Sequence, residues 1–164
     1  MKRILIATDF SPRSDRALRR ATLIARRVGA SLALAHVVDA DRPARLIDPD
    51  SAAAASVLDE AARTIADADG IAPDAIVKID DVHSGILAPA EESGAELIIL
   101  GPHRSRFRDV FTGTTVERVV RRTRLPLLVA VHPPSEPYRR TLLPLDFNEA
   151  SAAAARAALK MGIF

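Results

Sequence analysis

LIILGPHRSRFRDVFTGTTVERVVRRTRLPLLVAV, residues 97–131, is the stretch that decides the fold. It opens on a run of branched apolar residues, Leu97 to Leu100, that stops at Gly101, and closes on a second such run, Pro126 to Val131. Between them Val116, Val119 and Val120 recur at helical spacing, so the stretch reads strand, loop, helix, strand. The polar loop leaves the carboxyl end of a buried strand and leads to a helix amino terminus at Gly113-Thr114-Thr115. Free N–H groups of a first helical turn, with the positive end of the helix dipole behind them, suit an anion, and small residues let a phosphate approach.

Working outward, the elements alternate. Lys2 to Thr8 is a continuous apolar run ending at Asp9, as in a parallel strand buried on both faces. Ser11 can cap a helix whose first position suits Pro12, and Ala17, Leu18, Ala21, Ala25 and Val28 recur until Gly29 ends it. Ser31 to Val38 is a second strand, followed by a loop containing Pro43 and Pro49 and an Ala-rich helix from Ser51 to Ala68. Ala75 to Val82 is a third strand, residues 84–93 a short helix containing Pro89, Glu96 to Leu100 the fourth strand, Gly113 to Arg122 the fourth helix and Pro126 to Val131 the fifth strand. This βαβαβαβαβ order predicts an open five-stranded parallel sheet with right-handed crossovers and helices on both faces. Ligands of such sheets bind beyond the carboxyl ends of the strands, where Asp9, Val38 and the Gly101 loop fall.

Composition narrows the function classes. The chain has 164 residues, no Cys, no Trp and a formal charge of +2. Absence of Cys excludes disulfides, thiolate metal sites and a Cys nucleophile. Few aromatics argue against a base-stacking nucleic-acid surface. No apolar run approaches the roughly 20 residues that span a bilayer, and the run after Met1-Lys2-Arg3 is too short for a signal peptide, so a cytoplasmic protein without a membrane or nucleic-acid partner is expected. Charge is unevenly spread. Residues 101–124 hold seven arginines, 104, 106, 108, 118, 121, 122 and 124, against Asp109 and Glu117, which favours an anionic small ligand there. Arg118, Arg121, Arg122 and Arg124 fit the solvated face of an amphipathic helix.

The end of the chain repeats its beginning. After a Pro-rich linker, Arg140, Leu142, Asp146, Phe147, Ser151, Ala154, Arg156 and Ala158 repeat Arg3, Leu5, Asp9, Phe10, Ser14, Ala17, Arg19 and Ala21 at an offset of 137. The expected organisation is one complete domain (1–132), a linker (133–138) and a partial second repeat of one strand and one helix (139–164). One strand and one helix cannot build a core, so the tail must pack on the first domain, pair with another chain or stay loose.

The strand ending in TDFS with Asp9, the AHVV strand with His36 and Val38, the LIILGPH turn and GTTVERVVRRTRLPLLVAV together resemble the universal stress protein family over Met1 to Val131. The resemblance implies an α/β sheet of strand order 3-2-1-4-5. It further implies an adenine nucleotide, ATP or AMP, contacted by Asp9 through base or ribose, by Val38 at adenine and by a glycine loop at the phosphates. That loop reads Gly, two residues, Gly, nine residues, Gly, Ser/Thr. Here Gly101 and Gly113-Thr114 match its ends, but Arg104 stands at the middle glycine and the spacing is one residue short. Arginine adds bulk where glycine permits close approach, yet its guanidinium can bind phosphate bidentately. The expected nucleotide-binding residues are therefore Asp9, Val38, Gly101, His103, Arg104, Gly113, Thr114 and Thr115, with Mg accompanying ATP.

Bland readings stand beside these. Asp9 is equally an Asx turn at a strand end, and His36 a core histidine satisfied by the backbone. Asp80, Asp81 and His83 look like a metal cluster, but strand alternation separates Asp80 from the other two. No P-loop, nucleophile elbow or H-E-x-x-H is present, so the protein is expected not to be an enzyme beyond weak ATP hydrolysis. Three classes remain: a nucleotide-binding stress regulator, a ligand-free interaction module of the same family, and an enzyme of the related adenine-nucleotide hydrolase fold lacking its catalytic motif. An apolar edge strand at Pro126 to Val131 invites pairing with another chain, and the resemblance implies a homodimer there, with unknown protein partners besides and Tyr138 to Leu145 available for exchange.

Overall fold

The computed structural model describes residues 1–102, 115–146 and 148–162. Its elements run β1 (Arg3–Ala7), α1 (Pro12–Val28), β2 (Ser31–Asp39), α2 (Ala44–Asp69), β3 (Asp74–Asp80), α3 (Ser84–Glu92), β4 (Leu97–Leu100), α4 (Thr115–Arg122), β5 (Leu127–Val129) and α5 (Glu149–Met161). The five strands form one parallel sheet of order β3-β2-β1-β4-β5. Both the fold class and the strand order are as expected.

Alternation within the central strands makes two cores. Ile4, Ile6, Leu32, Leu34, Leu97 and Ile99 face α1 and α2 with Ile24 and Leu58, while Leu5, Ala33, Ala35, Ile98 and Leu100 face α3 and α4 with Ile86, Val116 and Val119. Ile4, Leu5 and Ile6 are all fully buried because β1 has a strand on each side and helices on each face. Sealing both faces in this way is what a continuous apolar run encodes.

The local punctuation of α1 works as read. Ser11 caps it in extended conformation, Pro12 follows, and Gly29 closes it at φ 67 with its N–H on the Ala25 carbonyl; a left-handed C-terminal residue costs glycine nothing sterically. Two elements depart from expectation. Helix α2 starts at Ala44 rather than Ser51, so Pro49 lies inside it. The missing N–H leaves the residue 45 carbonyl without its helical donor, which is tolerable here because residues 44–46 and 48–49 are exposed and water can replace the donor. Val120 of α4, expected on the apolar face, is half exposed; Val116 and Val119 alone carry the contact.

The tail is the other correction. Residues 139–146 form no strand, although they align with β1. In the first repeat β1 is hydrogen-bonded on both edges; the copy has neither neighbour, and a lone strand leaves its backbone groups unpaired. The helical half does form. Asp146 and Asn148 repeat the local geometry of Asp9 and Ser11: the N–H of Asn148 meets Asp146 Oδ1 at 3.3 Å, as that of Ser11 meets Asp9 Oδ1 at 3.0 Å. Asn148 caps α5 through the Ser151 N–H at 2.8 Å, and Ser151 Oγ donates to the Asn148 carbonyl at 3.1 Å, as Ser14 Oγ does to Ser11 at 2.8 Å. The internal repeat is thus a repeat of capping chemistry.

The linker is held by one face of α1. Arg16 donates to the Val131 carbonyl at 2.6 Å, Arg20 to that of Glu136 at 2.9 Å and Arg27 to that of Tyr138 at 3.2 Å. The buried Arg20 guanidinium also lies 3.9 Å over the Tyr138 ring, a cation–π contact. Beyond the linker α5 lies near β5, but none of its residues is buried. No helix among the described residues is long and apolar enough to cross a membrane.

Candidate functional site

At the carboxyl ends of β1, β2 and β4 a cavity of about 200 Å³ opens between the first turns of α1, α3 and α4. Parallel strands make this possible. Each ends on the same side, and each crossover leaves a gap where neighbouring loops diverge. Its lining is apolar at Val37, Val82, Ile86 and Leu100 and polar at Asp9, Ser11, Arg13 and Thr115.

Asp9 is held rigidly. Its Oδ1 accepts the Ser11 N–H at 3.0 Å, an Asx turn that brings the chain from β1 into the α1 cap. Burial raises its carboxyl pKa, but hydrogen bonds from Ser11 and Ser14 outweigh that and hold it below the ordinary 3.8. Thr8 Oγ1 donates to the buried Ser14 Oγ at 2.9 Å and accepts the Phe10 N–H at 3.0 Å. These contacts carry Phe10 into the left-handed region at φ 58, an uncommon conformation for a bulky residue. There its ring stacks on His36, centroids 4.2 Å apart and planes within 19°.

His36 is satisfied as expected: its Nδ1 lies 2.8 Å from the Thr8 carbonyl, and since a carbonyl only accepts, Nδ1 carries the proton. The Phe10–His36 stack stands beside a second hollow of about 380 Å³, lined by Val38, Arg42, Asp50, Ala54 and Val57. Val38 therefore does not join Asp9 in the main cavity. Alternation along β2 sends Val37 to the cavity and Val38, buried, under α2. Counting parity from Asp9's neighbours across the sheet would have found Val37.

Gly101 also lines the cavity. A Cβ there would lie 2.6 Å from the Arg13 carbonyl oxygen and 3.0 Å from the Ser14 nitrogen. The glycine thus lets β4 end directly against the first turn of α1, which sets Arg13 on the cavity rim. Gly85 is used similarly, since its Cβ would meet Val37 Cγ1 at 2.5 Å. Neither Val37 nor Arg13 was among the residues expected from sequence. Arg13 sits two positions beyond the Ser11 cap, at the carboxyl end of β1, which is the signal that could have found it.

Of the eight expected binding residues, Asp9, Gly101 and Thr115 meet in the cavity, Val38 does not, and His103, Arg104, Gly113 and Thr114 lie outside the described residues. Arg118, Arg121, Arg122 and Arg124 are solvent-exposed on or just beyond α4, with Arg121 paired to Glu117 at 2.8 Å. The Asp80, Asp81, His83 group lies at the turn from β3 into α3. Asp81 Oδ1 accepts the N–H groups of His83 and Ser84 at 3.2 Å each and so starts α3. Hydrogen bonding from Ser84 in particular lowers the Asp81 pKa. No group of three or more His, Cys, Asp or Glu able to hold a metal ion occurs among the described residues.

A family model described as the universal stress protein family matches residues 1–131. The chain belongs to the universal stress protein family. Its structure is similar to that of a universal stress protein family member from Burkholderia pseudomallei, 28% identical, with a TM-score of 0.64 over 81% of this chain and 96% of that one. It is similar also to a universal stress protein in complex with cAMP, at 23% identity and a TM-score of 0.63 over 81% and 98% of the two chains. A third similar structure, the universal stress protein from Archaeoglobus fulgidus in complex with dAMP, is 23% identical with a TM-score of 0.62 over 79% and 97%. No curated protein matches the sequence.

Proposed function

We propose that this chain is a cytoplasmic regulatory domain that binds an adenine nucleotide, ATP or AMP, in the cavity at the carboxyl ends of β1, β2 and β4. One observation carries the reading: apolar Val37, Val82 and Ile86 line the same cavity as polar Asp9, Ser11, Arg13 and Thr115. A purine fits between apolar side chains. A carboxylate kept ionised accepts hydrogen bonds from ribose hydroxyls, and Arg13 adds positive charge on the same rim. At about 200 Å³ the cavity is smaller than the roughly 300–1,000 Å³ that encloses a whole drug-sized ligand. Base and ribose would be enclosed, then, with the phosphates outside the cavity; the family resemblance assigns His103, Arg104, Gly113 and Thr114 to them. Relatives of this fold solved with dAMP and cAMP agree in ligand class. Mg would accompany ATP at the phosphates.

The output is physical rather than chemical. Occupancy alters the pairing of the β5 edge with a second copy, or the docking of a protein partner; at most weak ATP hydrolysis accompanies it. Calorimetric titration of nucleotide-free protein with MgATP, AMP and adenosine tests the reading, with Asp9→Ala and Val37→Asp as controls. Saturable binding lost in both variants supports it. Folded protein that takes up none of the three would refute it and leave the ligand-free interaction module.

A further inference from the structure

The outer edge of β5 is unfinished. Ile98 donates to the Pro126 carbonyl and Ala130 to that of Leu100, so residues 126 and 130 face β4. In a parallel ladder the facing residues alternate, which turns the N–H and C=O groups of Leu127 and Val129 outward, and no strand follows β5 in the sheet. Helix α5 lies along this edge, yet a helix uses its own backbone groups internally and offers none to a strand. Its alanines 153, 154, 157 and 158, with Met161 and Leu143, instead line a groove of about 690 Å³ against Leu127, Leu128 and Val129. The groove stays open because alanine side chains are too short to fill it.

The attachment is also uneven along the tail. Residues 131–138 are clamped to α1 by Arg16, Arg20 and Arg27. Residues 139–146 have no regular structure, Leu142 is 90% exposed, and α5 buries no residue, with Leu159 78% exposed on its outer side. A fixed linker, a hinge and a loosely seated helix describe a cover that can leave without unfolding the domain.

We propose that α5 is a displaceable cover of the β5 edge, competing in cis with the β5 edge of a second copy of the chain. This rests on the reading above that β5 pairs with β5. Only an extended chain can satisfy the outward groups of Leu127 and Val129, and an identical edge does so about a two-fold axis. The segment that repeats the start of the domain is thus a brake on self-association.

Light scattering of the full chain against the double variant Ala157→Glu/Met161→Glu, without nucleotide, tests this. Charges in the groove release α5 and leave the arginine clamp intact, and far-UV circular dichroism checks that the domain stays folded. Expected is a weak, concentration-dependent dimer for the parent chain and an association constant raised at least tenfold in the variant. Leu143→Glu, acting from the hinge, produces the same change. Adding Val129→Pro, which removes an outward N–H and leaves the β4 ladder intact, returns the released variant to monomer. A parent chain as dimeric as the released variants overturns the cover while keeping the β5 dimer. Released variants that stay monomeric overturn both, and dimers that survive Val129→Pro place the contact elsewhere and overturn the proposal.

Discussion

Replacing Gly101 by alanine separates two reasons for a glycine at the end of β4. Its φ does not lie in the left-handed region, and the constraint is space: the new Cβ would sit 2.6 Å from the Arg13 oxygen and 2.8 Å from its carbon. Ordinary contact begins near 3.4 Å, so the first turn of α1 must retreat by about 0.8 Å. That carbonyl accepts the N–H of residue 17 in the helix, and residue 17 is the fully buried Ala17, so the retreat propagates into the core. Overpacking of this kind costs about 1–3 kcal/mol. Against it, alanine reduces the freedom of the unfolded chain, which stabilises by about 0.4–1 kcal/mol. The clash wins, with a net loss of about 1–2 kcal/mol, or about 2–8 °C in Tm for a domain of this size. Differential scanning calorimetry reads the shift. Gly29→Ala is the control: it has open space around its Cβ but a φ of 67, so it loses comparable stability without disturbing the cavity. A Gly101→Ala protein as stable as its parent would refute the close approach.

Two further outcomes follow from contacts described above. The Asp9 carboxyl has its pKa lowered by hydrogen bonds that overcome burial, so its contribution is present above the unfolded value and lost as pH falls through the folded one; the stability gap between parent and Asp9→Asn, by urea titration, should narrow steadily below about pH 4 and not change between pH 6 and 8. Arg20→Ala removes the bond to the Glu136 carbonyl and the contact with the Tyr138 ring; a charged donor is worth about 1.5–3 kcal/mol, so stability to urea should fall by about that much, and acrylamide quenching of Tyr138, the one tyrosine in a chain without Trp, should rise while far-UV circular dichroism is unchanged.

What the sequence made legible was whatever short-range chemistry decides. Ser11, Pro12 and Gly29 bound α1 because capping and φ preference act within a turn, and the run Ile4 to Ile6 announces a buried strand because both its faces are covered. The bond that satisfies His36 was readable for the same reason: a polar side chain in an apolar strand needs a nearby partner, and the Thr8 carbonyl supplies it, although the half-buried ring lines the cavity and is not part of the core. Pro49 misled because proline's cost depends on whether water reaches the orphaned carbonyl, which is a tertiary fact. Val38 was chosen over Val37 because parity along β2 is invisible until one knows which face the cavity uses. Residues 139–146 look like β1 but form no strand, since a central strand is made by its neighbours. Arg13 and Gly101 meet only after three crossovers have brought the start of α1 against the end of β4, 88 residues apart in the chain.

The left-handed Phe10 has an implication for how the mouth of the domain is divided. Glycine at that position would relieve about 1–2 kcal/mol of backbone strain, and the chain forgoes the relief. What phenylalanine supplies is a wall: stacked on His36, it lines the hollow under α2, while His36 and Val37 line both that hollow and the cavity that holds Asp9. Helix α2, 26 residues and so about 39 Å long, outruns the seven residues of β3 and walls the outer hollow from the far side. Two compartments, one lined by Asp9 and Arg13 and one by Asp39 and the Arg42–Asp50 pair, thus share His36 and Val37, and the ring stacked on that divide is held through the Thr8 hydroxyl.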